Sequence, residues 1–352
     1  MLPYWILFAL PAVGALRERA TWRQADQPHL LLLGLSLLFV LVIGFRYQVG
    51  GDWQTYLFHL DQARYLSFAE TFAQSDPGYA LLNWLAARTF GEIWGVNLVC
   101  GAIFSAGLLS FAKAQPRPWL ALLVAVPYLI IVIAMGYTRQ GVAIGLAMLG
   151  LVALVRKRSA LKFVLWMALA ATFHKTALLL VPIAALSVDR GRFWTALWVG
   201  GSTLLLYYLF LEDSVNPLMA GYLEAEYNSQ GAAIRVAMNL LPALLFLLLR
   251  RRFSLSRIEF RLWTNISILA LVFVILLVVS PSSTAVDRMA LYLIPLQLFV
   301  LSRLPEAFPA SSRGVNQLAL AVIAYSAAVQ FTWLNFATHA RYWVPYQVFP
   351  LL

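Results

Sequence analysis

The chain has 352 residues, 62% of them hydrophobic and 12% charged, with a mean hydropathy of +0.77, whereas soluble domains carry roughly a quarter charged residues, so the composition is that of an integral membrane protein. The formal net charge of +11 does not point to nucleic acid, because the cations sit in short loops between apolar runs, which is the pattern of membrane topology. Cys100 is the only cysteine and falls inside an apolar run, which excludes a disulfide and a thiolate metal site.

In chain order, apolar runs predict helices over 2–16, 29–45, 93–112, 118–136, 140–155, 160–173, 176–188, 193–211, 234–249, 262–280, 289–303 and 315–334, an all-α polytopic membrane protein with about twelve (10–13) transmembrane helices. No stretch is long and polar enough to stand as a soluble domain, so residues 1–352 read as one domain. The opening MLPYWILFALPAVGAL lacks the basic start of a cleaved signal peptide and is followed by Arg17, Arg19 and Arg23, so it is read as the first membrane helix.

Threading these helices alternately gathers 18 of the 26 Lys and Arg residues in the loops on one side, which the positive-inside rule makes the cytoplasm. Arg46, Arg64, Arg88, Arg139, Lys175, Arg235, Arg288 and Arg341 then lie outside, with 10 of the 15 acids. Placing residues 160–188 in one long helix would put Arg250, Arg251 and Arg252 outside, against that rule; a short hairpin keeps the rule and sets His174 and Lys175 at a recessed tip.

The stretch that organises the rest is RYQVGGDWQTY, residues 46–56, where an apolar run stops and an arginine, two glycines, an acid and aromatics arrive together. Residues 53–92 form the largest outer segment, and its two amphipathic pieces predict helices lying in the membrane interface. Asp76 before Pro77 reads as a helix N-cap with proline at the first helical position. His59, His174 and His339 are scattered singly, so no metal site is expected, and no nucleotide-binding glycine loop or serine elbow is present.

An ionisable group within or at the end of a membrane segment is costly enough to be a functional candidate. Arg46, Arg139, Lys175, Arg235 and Arg288 converge on the outer end of the bundle, with Asp52 nearby as a base, a set that suits a diphosphate leaving group and a hydroxyl nucleophile. The outer aromatics Tyr47, Trp53, Tyr56, Trp84, Tyr137, Trp343 and Tyr346 suit either a membrane belt or stacking on sugar rings.

The ordered series R-Y-x-x-G-G-D-W-x-x-Y from residue 46, D-P-G-Y-x-L-L-N-W from 76, T-R-Q-x-x-A at 138–143, F-H-K-T-A at 173–177 and D-R-x-x-x-Y at 287–292 resembles the EpsG family over about residues 46–303; residues 304–352 carry no motif of that series. The resemblance implies a Wzy-like polysaccharide polymerase of the bacterial inner membrane. Such an enzyme joins undecaprenyl-diphosphate-linked repeat units at the periplasmic face, with no cofactor and no obligatory metal. An acid in the first outer loop is also similar to GT-C membrane glycosyltransferases, where it serves as base. On that reading Asp52 and His174 are catalytic, Arg46, Arg139, Lys175, Arg235 and Arg288 bind diphosphate, and Tyr56, Asp76, Tyr79, Trp84, Tyr137, Gln140 and Tyr292 hold sugar or acceptor. Its implied partners are lipid-linked oligosaccharides, membrane lipids, and flippase and chain-length regulator proteins. The alternatives are a GT-C transferase with a polyprenyl-monophosphate donor, for which fewer cations suffice, and a flippase, whose ionisable residues belong near the bilayer midplane.

Overall fold

The computed structural model describes residues 1–18, 29–89, 91–188, 231–280, 283–308 and 312–349, with a few isolated positions between 197 and 204. The chain groups into two compact units, Met1–His174 with Ser302–Leu352, and Lys175–Leu301.

In the first unit, α1 (Leu2–Arg17) and α2 (His29–Gly44) lead into the outer segment α3 (Trp53–Ala63), α4 (Phe68–Phe72) and α5 (Pro77–Thr89). Then follow α6 (Ile93–Lys113), α7 (Pro118–Ala125), α8 (Thr138–Val155) and α9 (Ala160–Ala171). A π-helical stretch, Val126–Ala134, continues α7; Pro127 near its start has no N–H to give to the carbonyl four residues back, so the regular ladder is interrupted there. α6 packs between α2 and α8. A Cβ on Gly107 of α6 would meet the Gly145 carbonyl oxygen of α8 at 2.0 Å, so glycine is what lets these two backbones touch.

The second unit comprises a 3₁₀ turn (Lys175–Leu179), α10 (Leu180–Ala185), α11 (Ala232–Leu249), α12 (Arg257–Val279), α13 (Ser283–Ala290), a 3₁₀ turn (Leu291–Leu293) and α14 (Pro295–Arg303). α12 starts five residues before the expected helix because Ser256 and Glu259 form a reciprocal cap, the Glu259 N–H donating to Ser256 Oγ and the Ser256 N–H to Glu259 Oε2. Buried Asn239 ties α11 to the break between α13 and α14: its Nδ2 donates to the Ala290 carbonyl at 2.9 Å and its Oδ1 accepts from Gln297 at 3.0 Å. Trp263 and Phe299 stack at 4.1 Å between centroids. From Ser302 the chain returns to the first unit as α15 (Ser312–Phe336) and a 3₁₀ turn (Thr338–Tyr342).

Five described helices, α6, α8, α11, α12 and Gln317–Phe336 of α15, are long and apolar enough to cross a membrane, or six if the bent pair of α13 and α14 is one span. The fold is that of an all-helical membrane protein. Those lengths do not establish a count of about twelve spans: α1, α2, α9 and the stretches 118–134 and 175–185 are shorter apolar helices, and the helix expected over 193–211 lies outside the described residues. The expected interruption of 160–188 is present. α9 stops at Ala171 after 12 residues, a rise of roughly 18 Å at 1.5 Å per residue against a hydrocarbon core of about 30 Å.

Candidate functional site

The loop 46–52 is held from beneath by Arg46 and from the side by the far end of the chain. Arg46 is only 1% exposed, and its guanidinium donates to the carbonyls of Ile43 (2.5 Å) and Val49 (3.3 Å), to Asn97 Oδ1 (3.0 Å) on α6 and to Thr138 Oγ1 (2.7 Å) on α8. Four of its five N–H groups are therefore spent on protein, and the expected diphosphate contact at Arg46 is corrected to a strut joining α2, the loop and the starts of α6 and α8.

Residues Arg46–Tyr47 form β1, which pairs antiparallel with β2 (Gln347–Val348). Three further bonds reinforce the ladder: Gly50 N–H to the Tyr342 carbonyl (2.9 Å), Phe349 N–H to the Phe45 carbonyl (2.8 Å) and Tyr346 hydroxyl to the Val42 carbonyl (2.7 Å). Trp343, expected as a belt or sugar-stacking ring, is buried instead, its Nε1 donating to the Ile131 carbonyl at 2.7 Å while its own carbonyl accepts from the Tyr4 hydroxyl at 2.6 Å. Gly50 has φ +112, and a Cβ there would meet the Met135 carbonyl oxygen at 2.7 Å; only glycine combines that backbone with that approach.

Asp52 occupies the N-cap position of α3 without a side-chain capping bond. Its charge reaches Tyr56, one turn on: burial first, and then Asp52, push the Tyr56 hydroxyl up to about 12, so it stays protonated. Tyr56 packs edge-on against Tyr79 at 5.8 Å. The Arg139 guanidinium lies 5.9 Å from the Tyr79 ring centroid and donates from Nη1 to Asp76 Oδ2 at 2.6 Å. Asp52, Tyr56, Tyr79, Arg139 and Asp76 thus form one connected series on the first unit.

α5 begins at Pro77, as expected, and the Asp76 carbonyl accepts from Ala80 N–H at 2.9 Å. The Asp76 carboxylate goes to Arg139. Beside this pair lies a pocket with about 400 Å³ of empty space, counted out to its open mouth. His59 and Gln62 line it from α3, Gln74 and Ser75 from the connection, and Tyr79 and Asn83 from α5. His59 is half-buried; burial and then the Arg139 charge hold its imidazole below the usual value, in the neutral form. Asn83 is 1% exposed; its amide N–H donates to the Tyr79 carbonyl at 2.8 Å, and its Oδ1 has no hydrogen-bond partner among the described residues. A buried unmatched acceptor costs about 1–3 kcal/mol. Of the pocket residues, Tyr79 and Asp76 were in the expected site and His59, Gln62, Gln74, Ser75 and Asn83 were not, although the spacing 59/62/66 and 76/79/80/83 is that of helix faces.

Three other expected residues sit close by in different roles. Tyr137 is the N-cap of α8, and Gln140 is buried in its first turn. Trp84 faces the other way: its Nε1 donates to the Leu66 carbonyl at 3.1 Å, its ring packs on Phe68, and Arg88 lies 3.9 Å over it. It staples α4 to α5. His174 closes the first unit just after Thr172, whose carbonyl accepts from Gly78 N–H at 2.9 Å, so the end of α9 docks on the start of α5.

In the second unit the turn that starts at Lys175 packs against α13 and the Leu291–Leu293 turn. Arg235 of α11 grips Asp287 of α13 through Nε–Oδ1 at 2.6 Å and Nη2–Oδ2 at 2.5 Å, a two-pronged pair 14% and 8% exposed. Arg288 follows and is exposed, and Tyr292 is 1% exposed. Lys175, Arg235 and Arg288 are thus carried on neighbouring elements.

A family model described as the EpsG family matches residues 29–348. The chain belongs to the EpsG family. The EpsG match runs beyond the motif series of 46–303 and takes in β2 and the buried Trp343. Comparison with curated proteins and with solved structures gave no match. Membership in the EpsG family suggests a role in polysaccharide polymerisation.

Proposed function

We propose that this EpsG-family chain polymerises lipid-linked oligosaccharide, joining repeat units carried on undecaprenyl diphosphate at the periplasmic face of the bacterial inner membrane. The acceptor hydroxyl attacks the anomeric carbon of the sugar on its lipid carrier; its proton passes to a base and the lipid diphosphate leaves. Asp52 is assigned as that base, His174 orients a substrate, and Arg139 in the first unit offsets the charge of the leaving diphosphate. Lys175 and Arg288 lie in the second unit, where the Arg235–Asp287 pair fixes α11 to α13, and their expected electrostatic role rests on the family resemblance alone. The observation that carries the reading is Asp52 on a loop braced by Arg46 and β2, next to the Tyr56–Tyr79–Arg139–Asp76 series, in a chain matched almost throughout by the family. The test is a reaction of the purified full chain in lipid nanodiscs with lipid-diphosphate-linked repeat units. A ladder of products with release of lipid diphosphate is expected, and single-unit product alone would sink the reading.

A further inference from the structure

The pocket between α3 and α5 is polar, yet its charges are matched. Arg139 and Asp76 meet at 2.6 Å, so the one cation and the one acid that line the pocket are paired with each other. What remains of the polar lining is neutral: an imidazole, three side-chain amides and two hydroxyls, from His59, Gln62, Gln74, Asn83, Ser75 and Tyr79. Amides and a neutral imidazole each carry donors and acceptors together. That is the pattern of a saccharide, whose hydroxyls both give and accept, and not of a phosphate, which only accepts.

Three details set the orientation. His59 and Gln62 are three residues apart on α3, and Tyr79 and Asn83 four apart on α5, so each helix presents one face to the same space. Asn83 lines the pocket, and its buried Oδ1 has no hydrogen-bond partner among the described residues. The neutral state of His59 leaves one ring nitrogen as donor and the other as acceptor.

We propose that this pocket is a subsite for an uncharged sugar residue of the glycan, recognised through hydrogen bonds from His59, Gln62 and Asn83. The proposal deepens the polymerase reading and rests on it. It gives the Arg139–Asp76 pair a second consequence: the pair closes one side of the sugar pocket while its cation borders the transfer site.

The test uses the full chain in lipid nanodiscs and two probes, the lipid-free repeat-unit oligosaccharide released from the host's own polymer and inorganic diphosphate. Calorimetric titration of the wild type should show saccharide binding. Gln62→Ala and His59→Leu should each weaken it about three- to tenfold, with diphosphate binding unchanged. Gln62 is exposed on a helix, so Gln62→Ala decides the matter alone if His59→Leu lowers the thermal midpoint. Unchanged saccharide affinity in both folded variants, equal losses for both probes, or no saccharide binding by the wild type would each overturn the subsite. A separate polymerisation assay reports on the polymerase reading: wild type that binds saccharide but makes no polymer sinks that reading and leaves the pocket assigned.

Discussion

Arg139 and Asp76 stand 63 positions apart in sequence and 2.6 Å apart in space. Their side chains are 28% and 14% exposed, so the pair is shielded enough to hold α8 against the entry to α5, yet open enough for a ligand to reach it. Among the described residues Asp76 is the only hydrogen-bond acceptor of Arg139, which leaves further N–H groups for a phosphate oxygen.

Asp76→Asn and Arg139→Gln should each destabilise the protein by about 1–3 kcal/mol, the cost of leaving a partly buried charge without its partner. The double variant should lose little more than either single one, and thermal unfolding of all four proteins supplies the cycle. Strictly additive losses would show that the two side chains act independently. In a polymerisation assay Arg139→Gln should make no polymer and Asp76→Asn should retain some.

Asp52→Asn preserves size and hydrogen bonding but removes basicity. Turnover should drop by roughly two to four orders of magnitude, the usual span of general-base catalysis, while binding of lipid diphosphate persists. His174→Gln should cost less. Normal turnover by Asp52→Asn together with a dead His174→Gln would transfer the base to the histidine.

Gly50 and Gly51 give a paired test of the loop. Gly50→Ala places a Cβ 2.7 Å from the Met135 carbonyl at φ +112, and should cost about 1–3 kcal/mol along with most activity. Gly51→Ala meets nothing within 4 Å and should behave as wild type. Equal tolerance at both positions would mean that the loop is not held where it is described.

His59 supplies a pH signature. Its folded-state value lies below the ordinary 6.5, so just below that pH the unfolded chain binds a proton that the folded chain does not. Stability from this group is complete above about 6.5 and declines as pH falls through the window beneath it. His59→Gln should therefore flatten the fall of the unfolding midpoint between about pH 6.5 and 5 relative to wild type. Parallel curves for the two proteins would assign the slope to other groups.

Helices in this chain were legible wherever an apolar run met a basic loop, as at Lys113 and Arg156, because lipid imposes that pattern locally. α13 was missed as the start of its bent pair: Ser283, Thr284, Asp287 and Arg288 make it too polar to read as a span. Asp52 and Arg139 stood out as candidates because each charge follows or interrupts an apolar run, and Asp76 because it precedes Pro77 at a helix start. Arg46 showed the same signal and proved internal, since the acceptors that claim it, Asn97 and Thr138, lie 51 and 92 positions away. The partner of β1 was illegible for the same reason, as two residues carry no periodicity and their complement is at the other end of the chain. Tyr79 and His59 were visible as residues but not as neighbours, because the α3–α5 packing that joins them is tertiary.

The β1–β2 ladder also dictates an order of events. Tyr47 and Gln347 are 300 positions apart, and at about 5–20 residues per second a ribosome takes roughly 15–60 s to travel that distance. For most of that interval the Asp52 loop has been synthesised but has no companion strand to pair with. Every intervening helix must therefore insert and settle before the nascent chain can complete the site. A chain stopped after Trp343 would lack Gln347–Val348 and would leave the strand at Arg46–Tyr47 unpaired.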